Sequence, residues 1–439
     1  MVKVIIAKEK INCEHLLGKF VDDSHYDFLI EEDCDVYMPP QMGEDPISEK
    51  RIVLKFRKNY FSKEEQDSAY VGLREAATKT ENRGLASGIK DGIFATPEGR
   101  EWVTNYQQEM MDELLNNRNS SLDDQDVIDT IRAKYPTEAD KRMAGGSGKN
   151  NVWVISRFRG TKFDFEAWLD TIKALSRQNR AEACEDVMEM ISTTTYGTAV
   201  NSGIAGWFDR YPRIPYGRAT SYTRDNLDKF KMSYPFLQNL AEGFKNLLPE
   251  RYFAQMNEAN KLDPSFLVPK TPFTTVTVNK TFRTAAHRDA GDLSAGLSNL
   301  LTLSNDGRYT GGYLIAPEYR VAVNVRPGDL LLINNHEVMH GNTPIVCEEG
   351  SERISLVVYF REKMLELGSK EYENARYNFV KSRRENKEHS LWKPLWNGVS
   401  SSMWDSEEWY QYLESELGRE TLLKYHPDAE KANSLEGFF

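Results

Sequence analysis

Two histidines and an aspartate, His287, Asp289 and His340, are the residues of this sequence best suited to hold a transition metal. Side chains two apart on an extended chain point to one face. His287 and Asp289 can therefore deliver an imidazole and a carboxylate to one ion. The third donor must come from a distant strand that folds back on the first. His340 meets that need just after the apolar run Leu330–Ile333, and His336 in the same loop competes for the role. Two imidazoles and one carboxylate on one octahedral face leave three positions open, which suits ferrous iron taking a bidentate keto acid and then dioxygen. Zinc is the competing metal, because the same donors serve hydrolytic sites. The strand-borne His-x-Asp pair and the lack of a helical HExxH favour iron. Arg353 opens the run Arg353–Phe360 and offers a planar fork that matches the far carboxylate of 2-oxoglutarate. Ser355, two residues on, shares its face and can donate a hydroxyl hydrogen bond. The plain alternatives are a chance His-x-Asp and a surface arginine. The order of the four residues within one β-rich stretch argues for the site.

The elements around these residues follow from patterning. From Phe273 onward, short apolar or β-branched runs (Thr274–Val278, Leu297–Leu303, Gly312–Ala316, Arg320–Val325, Leu330–Ile333 and Ile354–Phe360) alternate with the turn sequences Ser304–Gly307 and Arg326–Asp329. Close-spaced strands without intervening helices predict an antiparallel sandwich or barrel. Upstream, Val2–Ala7 and Ile52–Phe56 read as strands. The segments 100–134, with the stripe Trp102, Tyr106, Met110 and Leu114, and 163–191 read as helices. A single amphipathic helix is expected over 226–248, ending before Pro249, and a charged helix from Met364 to about Glu388. Gly145–Lys149 resembles a phosphate loop but lacks the earlier glycine and the magnesium-binding hydroxyl, so it is expected to be a linker.

With 439 residues, 40% of them hydrophobic and 28% charged, the chain can bury a large core without staples. Its net charge of −11 argues against a broad basic field for nucleic acid, though not against a local basic groove. Cys13, Cys34, Cys184 and Cys347 are scattered, form no CxxC pair, and fit buried thiols in a reducing compartment. No run is long enough to span a membrane, and no signal peptide is expected, so a cytoplasmic location (the host cytoplasm for a viral protein) follows. Oligomeric state is left open.

The stretch Val278–Leu293, with Tyr309–Leu314, Arg326–Leu330, His340–Pro344 and Arg353–Arg361, resembles the TET/JBP family of dioxygenases, most of all its compact phage and microbial members. The resemblance is strong over 273–363 and extends back to about 195. It implies an α+β fold: a double-stranded β-helix, or jelly roll, flanked by helices, with an N-terminal extension and a helical C-terminal segment. The division it suggests is an accessory region 1–150, a catalytic domain 151–365 with its core at 273–363, and an extension 366–439. It implies Fe(II) on His287, Asp289 and His340, and 2-oxoglutarate on Arg353 and Ser355. It further implies hydroxylation of the 5-methyl group of a pyrimidine in DNA, with dioxygen as co-reactant. Asp292, Asn279, Tyr359 and Arg361 are the implied base contacts. 5-Methylcytosine is favoured over thymine, because a carboxylate at 292 could accept a hydrogen bond from the amino group. Arg283, Arg288, Arg218, Arg224, Lys229 and Lys231 are candidate phosphate contacts. The competing readings are a dioxygenase of a free metabolite or protein side chain, and a non-catalytic cupin-like binding or structural protein. Trp392, Trp396, Trp404 and Trp409 are expected to be docked core.

Overall fold

The computed structural model describes residues 2–80, 83–88, 199–210, 214–289, 291–385 and 406–429. The chain divides into two compact units. The first comprises Met1–Lys90, Gly197–Asp209 and Arg218–Leu367, and carries the β-structure.

Its strands are β1 (Lys3–Ile6), β2 (Phe28–Ile30), β3 (Cys34–Tyr37), β4 (Ile52–Arg57), β5 (Thr78–Thr80), β6 (Val200–Phe208), β7 (Arg218–Ala219), β8 (Thr275–Lys280), β9 (Ser298–Ser304), β10 (Tyr309–Gly311), β11 (Leu314–Ala316), β12 (Val321–Val323), β13 (Leu330–Ile333), β14 (Gly341–Asn342), β15 (Ile345–Cys347) and β16 (Arg353–Tyr359). The major sheet runs β1-β3-β4-β13-β9-β16-β8-β6-β5, with β7 on β6. A minor sheet runs β14-β11-β12-β2, and β10 pairs with β15. This is a double-stranded β-helix flanked by helices, an α+β architecture. The residues expected to form an N-terminal extension supply β1, β3, β4 and β5 to the major sheet itself. The boundary expected at residue 150 lies outside the described residues.

Period-2 alternation decides what each strand offers to each side. On β16, Ile354, Leu356 and Val358 join a core with Val276, Val278, Leu301, Leu330 and Leu332 on the helix-covered face. On β13, Leu331 and Ile333 turn the other way, into a second core with Leu54, Phe56, Leu314, Val321 and Val323 between the sheets. Both sides of these central strands are thus buried, which is why Leu330–Ile333 reads as an unbroken apolar run, while Ser298, Asn299 and Thr302 are buried polar residues within the apolar stretch Leu297–Leu303.

The covering helices of this unit are α1 (Lys63–Leu73), α2 (Ser221–Asp225), α3 (Leu227–Met232), α4 (Tyr234–Leu247) and α5 (Pro249–Ala259). The single helix expected over 226–248 is two. Pro235 sits in the first turn of α4, where its missing N–H costs nothing, so α4 starts afresh after Ser233. Pro249 likewise opens α5. Phe236, Leu237, Leu240 and Phe244 of α4 are fully buried against the sheet. Helix α1 is closed by a reciprocal capping box between Ser62 and Glu65.

The second unit comprises Asp91–Tyr196, Arg210–Gly217 and Gly368–Phe439. Its described helices are α6 (Lys370–Glu385), α7 (Ser406–Leu417) and α8 (Arg419–Tyr425). Trp409 is buried against Phe379 and Tyr372. The other three tryptophans of that cluster, Cys184, the helices expected over 100–134 and 163–191, and Gly145–Lys149 lie outside the described residues. No helix among the described residues is long and apolar enough to cross a membrane.

Candidate metal centre and substrate cavity

His287 and His340 sit side by side in an isolated antiparallel bridge, with paired backbone hydrogen bonds of 2.9 Å. Their rings are 4.4 Å apart. Each Nδ1 faces a backbone carbonyl, Ala285 at 2.8 Å and Val338 at 3.0 Å. Donating Nδ1–H to these carbonyls fixes the tautomer and leaves each Nε2 lone pair free to bind a metal. Both Nε2 atoms point at the Asp289 carboxylate, from 3.3 and 3.9 Å. The donor atoms of all three residues lie within 4.8 Å of one another. His336 is exposed and takes no part.

Electrostatics agree with a site built for a cation. Burial pushes the Asp289 carboxyl upward, but the His287 hydrogen bond and the charges of both imidazoles outweigh it and hold the group at about 2. Burial, then the neighbouring His287, pulls His340 down to about 4. The carboxylate is therefore ionised and His340 neutral, the states a metal requires. Burial lowers the His287 pKa, but the hydrogen bond and charge of Asp289 raise it further, so that ring holds a proton a metal would displace. Asn335 holds Asp289 by a side-chain bond of 2.9 Å and a backbone bond of 3.0 Å.

Sequence reasoning missed Glu318. This buried carboxylate accepts from the Met339 N–H at 2.8 Å and from Arg288 at 2.7 Å. It thereby grips a neighbour of His340 and the residue between His287 and Asp289. Nothing in the local sequence signals such a role.

A cavity of about 770 Å³ opens on this centre. The metal-facing triad, Ser355, Asn279, Asp292, Tyr359 and Arg361 all line it. Ser355, Val357, Tyr359 and Arg361 come from alternate positions at the end of one chain segment, which is why they share the interior face. Arg353 belongs to the same alternation but is not part of the cavity wall. It is 2% exposed, and its Nη2 reaches only the Gly312 carbonyl at 3.3 Å and Thr302 Oγ1 at 3.5 Å. Its Nε and Nη1 have no hydrogen-bond partner. Burial without a counter-anion pulls its pKa down. An orphaned buried guanidinium of this kind fits the carboxylate of a keto acid.

On the other side, Asp292 pairs through its backbone with Arg361 and accepts a hydrogen bond from Ser298. Burial, reinforced by the like charge of Asp289, pushes Asp292 up to about 8, far above the usual carboxylate range. Arg361 stacks over Phe208 at 4.4 Å and is held by Asp209 at 2.5 Å. Asp209 is a further residue the sequence reading did not identify. Asn279 accepts from the Ser202 hydroxyl.

Most of the expected phosphate contacts are engaged elsewhere. Arg224 pairs with Asp225, Lys229 with Glu75, Lys231 with Asp228, and Arg288 with Glu14 and Glu318. Arg283 donates to the Val21 and Asn342 carbonyls, and Arg218 to that of Asp209.

An imidazole and a carboxylate two residues apart, a second imidazole bridged to the first, and a buried arginine two residues from the cavity-lining Ser355 define the class of iron(II)- and 2-oxoglutarate-dependent dioxygenase domains. Residues 204–362 match the model of the Tet_JBP oxygenase domain of the 2OGFeDO superfamily, and the domain they form belongs to the TET/JBP family. Among curated proteins, the thymine dioxygenase JBP1 of Leishmania braziliensis is 33% identical over 195 residues, 43% of this chain and 23% of that protein. The bifunctional helicase and thymine dioxygenase JBP2 of Trypanosoma brucei brucei is 38% identical over 165 residues, 37% of this chain and 15% of that protein. The chain thus spans about a quarter or less of the length of these relatives. A solved structure, NgTET1 in complex with 5mC DNA, aligns with a TM-score of 0.39 and 12% identity, covering 88% of this chain and 91% of that one.

Proposed function

We propose that this protein hydroxylates the 5-methyl group of a pyrimidine base in DNA, using Fe(II), 2-oxoglutarate and dioxygen. The observation that carries the reading is the shared wall: the triad and the base-facing set Asp292, Tyr359 and Arg361 line one cavity. His287, Asp289 and His340 would hold the iron, and Arg353 with Ser355 the distal carboxylate of 2-oxoglutarate. When bound, the metal and cosubstrate supply the oxidising power, with 2-oxoglutarate and dioxygen leaving as succinate, carbon dioxide and the hydroxyl of the product.

The chain's own side chains position the substrate. A base must leave the duplex stack to reach a centre this enclosed. Tyr359 offers a ring face for it, and Asp292, Asn279 and Arg361 offer hydrogen bonds to its edge. The expectation of 5-methylcytosine rested on an ionised Asp292. The raised pKa favours the protonated form, which donates one hydrogen bond and accepts another, and so can pair with O4 and N3–H of thymine or with N3 and the amino group of cytosine. The named activities of the relatives make thymine the first substrate to test.

The test is mass spectrometry of nucleosides after incubating the protein with Fe(II), 2-oxoglutarate and DNA containing thymine or 5-methylcytosine. A 5-hydroxymethylpyrimidine formed only with all components supports the reading. Succinate release with an amino acid or free metabolite, and no modified nucleoside, overturns it.

A further inference from the structure

Four lysines and arginines line the cavity: Lys79, Arg83, Arg288 and Arg361. Two are neutralised, Arg288 by Glu14 and Glu318 and Arg361 by Asp209. The other two, Lys79 and Arg83, have no acidic partner among the described residues. Lys79 is exposed on β5, at the rim. Arg83 is partly buried within, and its Nε has no hydrogen-bond partner. Burial pulls the Arg83 pKa down, and Tyr359 and Asp289 are the groups whose charge acts on it. Its turn is pinned next to the metal centre, because the Ala86 carbonyl accepts from the Ala285 N–H at 2.8 Å. Neither residue falls within the matched domain 204–362.

We infer that Arg83 and Lys79 form an anion track that holds the phosphates flanking the base in the cavity. The inference rests on the DNA-base reading given above. An extruded base brings its own phosphodiesters to the mouth of the site. A guanidinium freed of carboxylates takes a phosphate in two-point contact, and a lysine at the rim adds a point charge. The cosubstrate is the poorer occupant. Arg353 already offers it an unpaired guanidinium beyond Ser355 on β16, whereas Arg83 neighbours Tyr359 toward the other end of that strand.

The experiment is calorimetric titration of the full chain, loaded with Mn(II) and 2-oxoglutarate. The probes are thymidine and 5-methyl-2′-deoxycytidine, each against its 3′,5′-bisphosphate. The wild type should bind the bisphosphate of at least one pair more tightly than the nucleoside. Arg83→Ala should weaken that bisphosphate by about tenfold to a hundredfold, with the nucleoside little changed. Arg83→Lys should restore part of the loss, which separates lost charge from lost fold. Lys79→Ala should reduce the salt dependence of oligonucleotide binding by about one phosphate contact. Equal losses for bisphosphate and nucleoside, or no preference for the bisphosphates in the wild type, would overturn the inference. So would weaker 2-oxoglutarate binding in Arg83→Ala with bisphosphate binding intact. A phosphate preference that depends on Arg83, with no oxidised base by mass spectrometry, would leave the anion track standing and remove the proposed reaction. Oxidised DNA with Arg83→Ala binding bisphosphate as the wild type does would remove the anion track alone.

Discussion

Replacing Arg353 with methionine should make the cosubstrate-free protein more stable and remove almost all of the stabilisation that the cosubstrate brings. The guanidinium is 2% exposed, two of its nitrogens have no partner, and no carboxylate pairs with it among the described residues. Its contacts with Thr302 and Gly312 are long, and a ring contact with Tyr309 at 5.8 Å adds little. A buried charge left without a partner costs several kcal/mol, and exchanging such groups for apolar side chains of similar volume gains about 1–4 kcal/mol. A gain of that size raises the melting temperature by roughly 2–4 °C per kcal/mol for a domain of some 200 residues. Binding moves the opposite way. Two charge-assisted hydrogen bonds lost from a dry site cost about 3–5 kcal/mol, or roughly a hundredfold to several thousandfold in affinity for 2-oxoglutarate. The wild type at a hundred times its dissociation constant gains about 2.7 kcal/mol from the ligand, and the variant almost none.

The assay is thermal unfolding of both proteins with Mn(II), with and without 2-oxoglutarate. The variant should melt higher without the keto acid, and adding it should raise the wild type by about 2.7 kcal/mol of stability and the variant almost not at all, narrowing or reversing the gap. A variant that melts lower without ligand would show that Arg353 already has a satisfying partner, and the argument for an anion-seeking guanidinium would fail.

Asp209→Asn removes the counter-charge that holds Arg361, and should raise the KM for oligonucleotide about tenfold while leaving the KM for 2-oxoglutarate in place; equal shifts in both would make Asp209 merely structural. Asp292 holds its proton in the folded state up to about pH 8 but only to about 4 when unfolded. Metal-free protein should therefore lose stability as pH rises between those values. Asp292→Asn, having no proton to lose, should gain on the wild type across that window in urea titrations, and parallel curves for the two proteins would contradict the neutral carboxyl. At Gly203 a Cβ would stand 1.7 Å from the Ala76 carbonyl oxygen, whereas at Gly43 it meets nothing within 4 Å. Gly203→Ala should cost about 3 kcal/mol or more in urea unfolding, and Gly43→Ala only the roughly 1–2 kcal/mol of its positive φ; similar midpoints would refute the backbone contact.

What could be read from the sequence, and what could not, divides along the range of the interactions. Leu330–Ile333 was legible to the residue because a strand buried on both faces leaves an uninterrupted apolar run. The pairing of His287 with Asp289, and of Arg353 with Ser355, was legible because alternation acts over two residues. The single helix expected over 226–248 is two, although Pro235 stands in the pattern, and α1 was not anticipated, although Ser62 and Glu65 spell a capping box. Both are local signals: Pro235 is masked by the apolar stripe that runs through it, and the capping box precedes a helix of low amphipathicity. Asp209, Glu318 and Arg83 are different. Each is a single charged residue whose neighbours in sequence say nothing of its partner: Asp209 meets a residue 152 positions away and Glu318 one 30 away. Charge pairing has no period, so only the closed roll reveals which arginines are neutralised. That distinction matters for function, since it turns on the guanidiniums left over. Arg353 is buried and Arg83 partly buried, each keeps a guanidinium nitrogen without a hydrogen-bond partner, and neither meets a carboxylate among the described residues. Should the Arg353 and Arg83 variants behave as predicted, these costs beside the metal-binding triad are held for anions that arrive from outside.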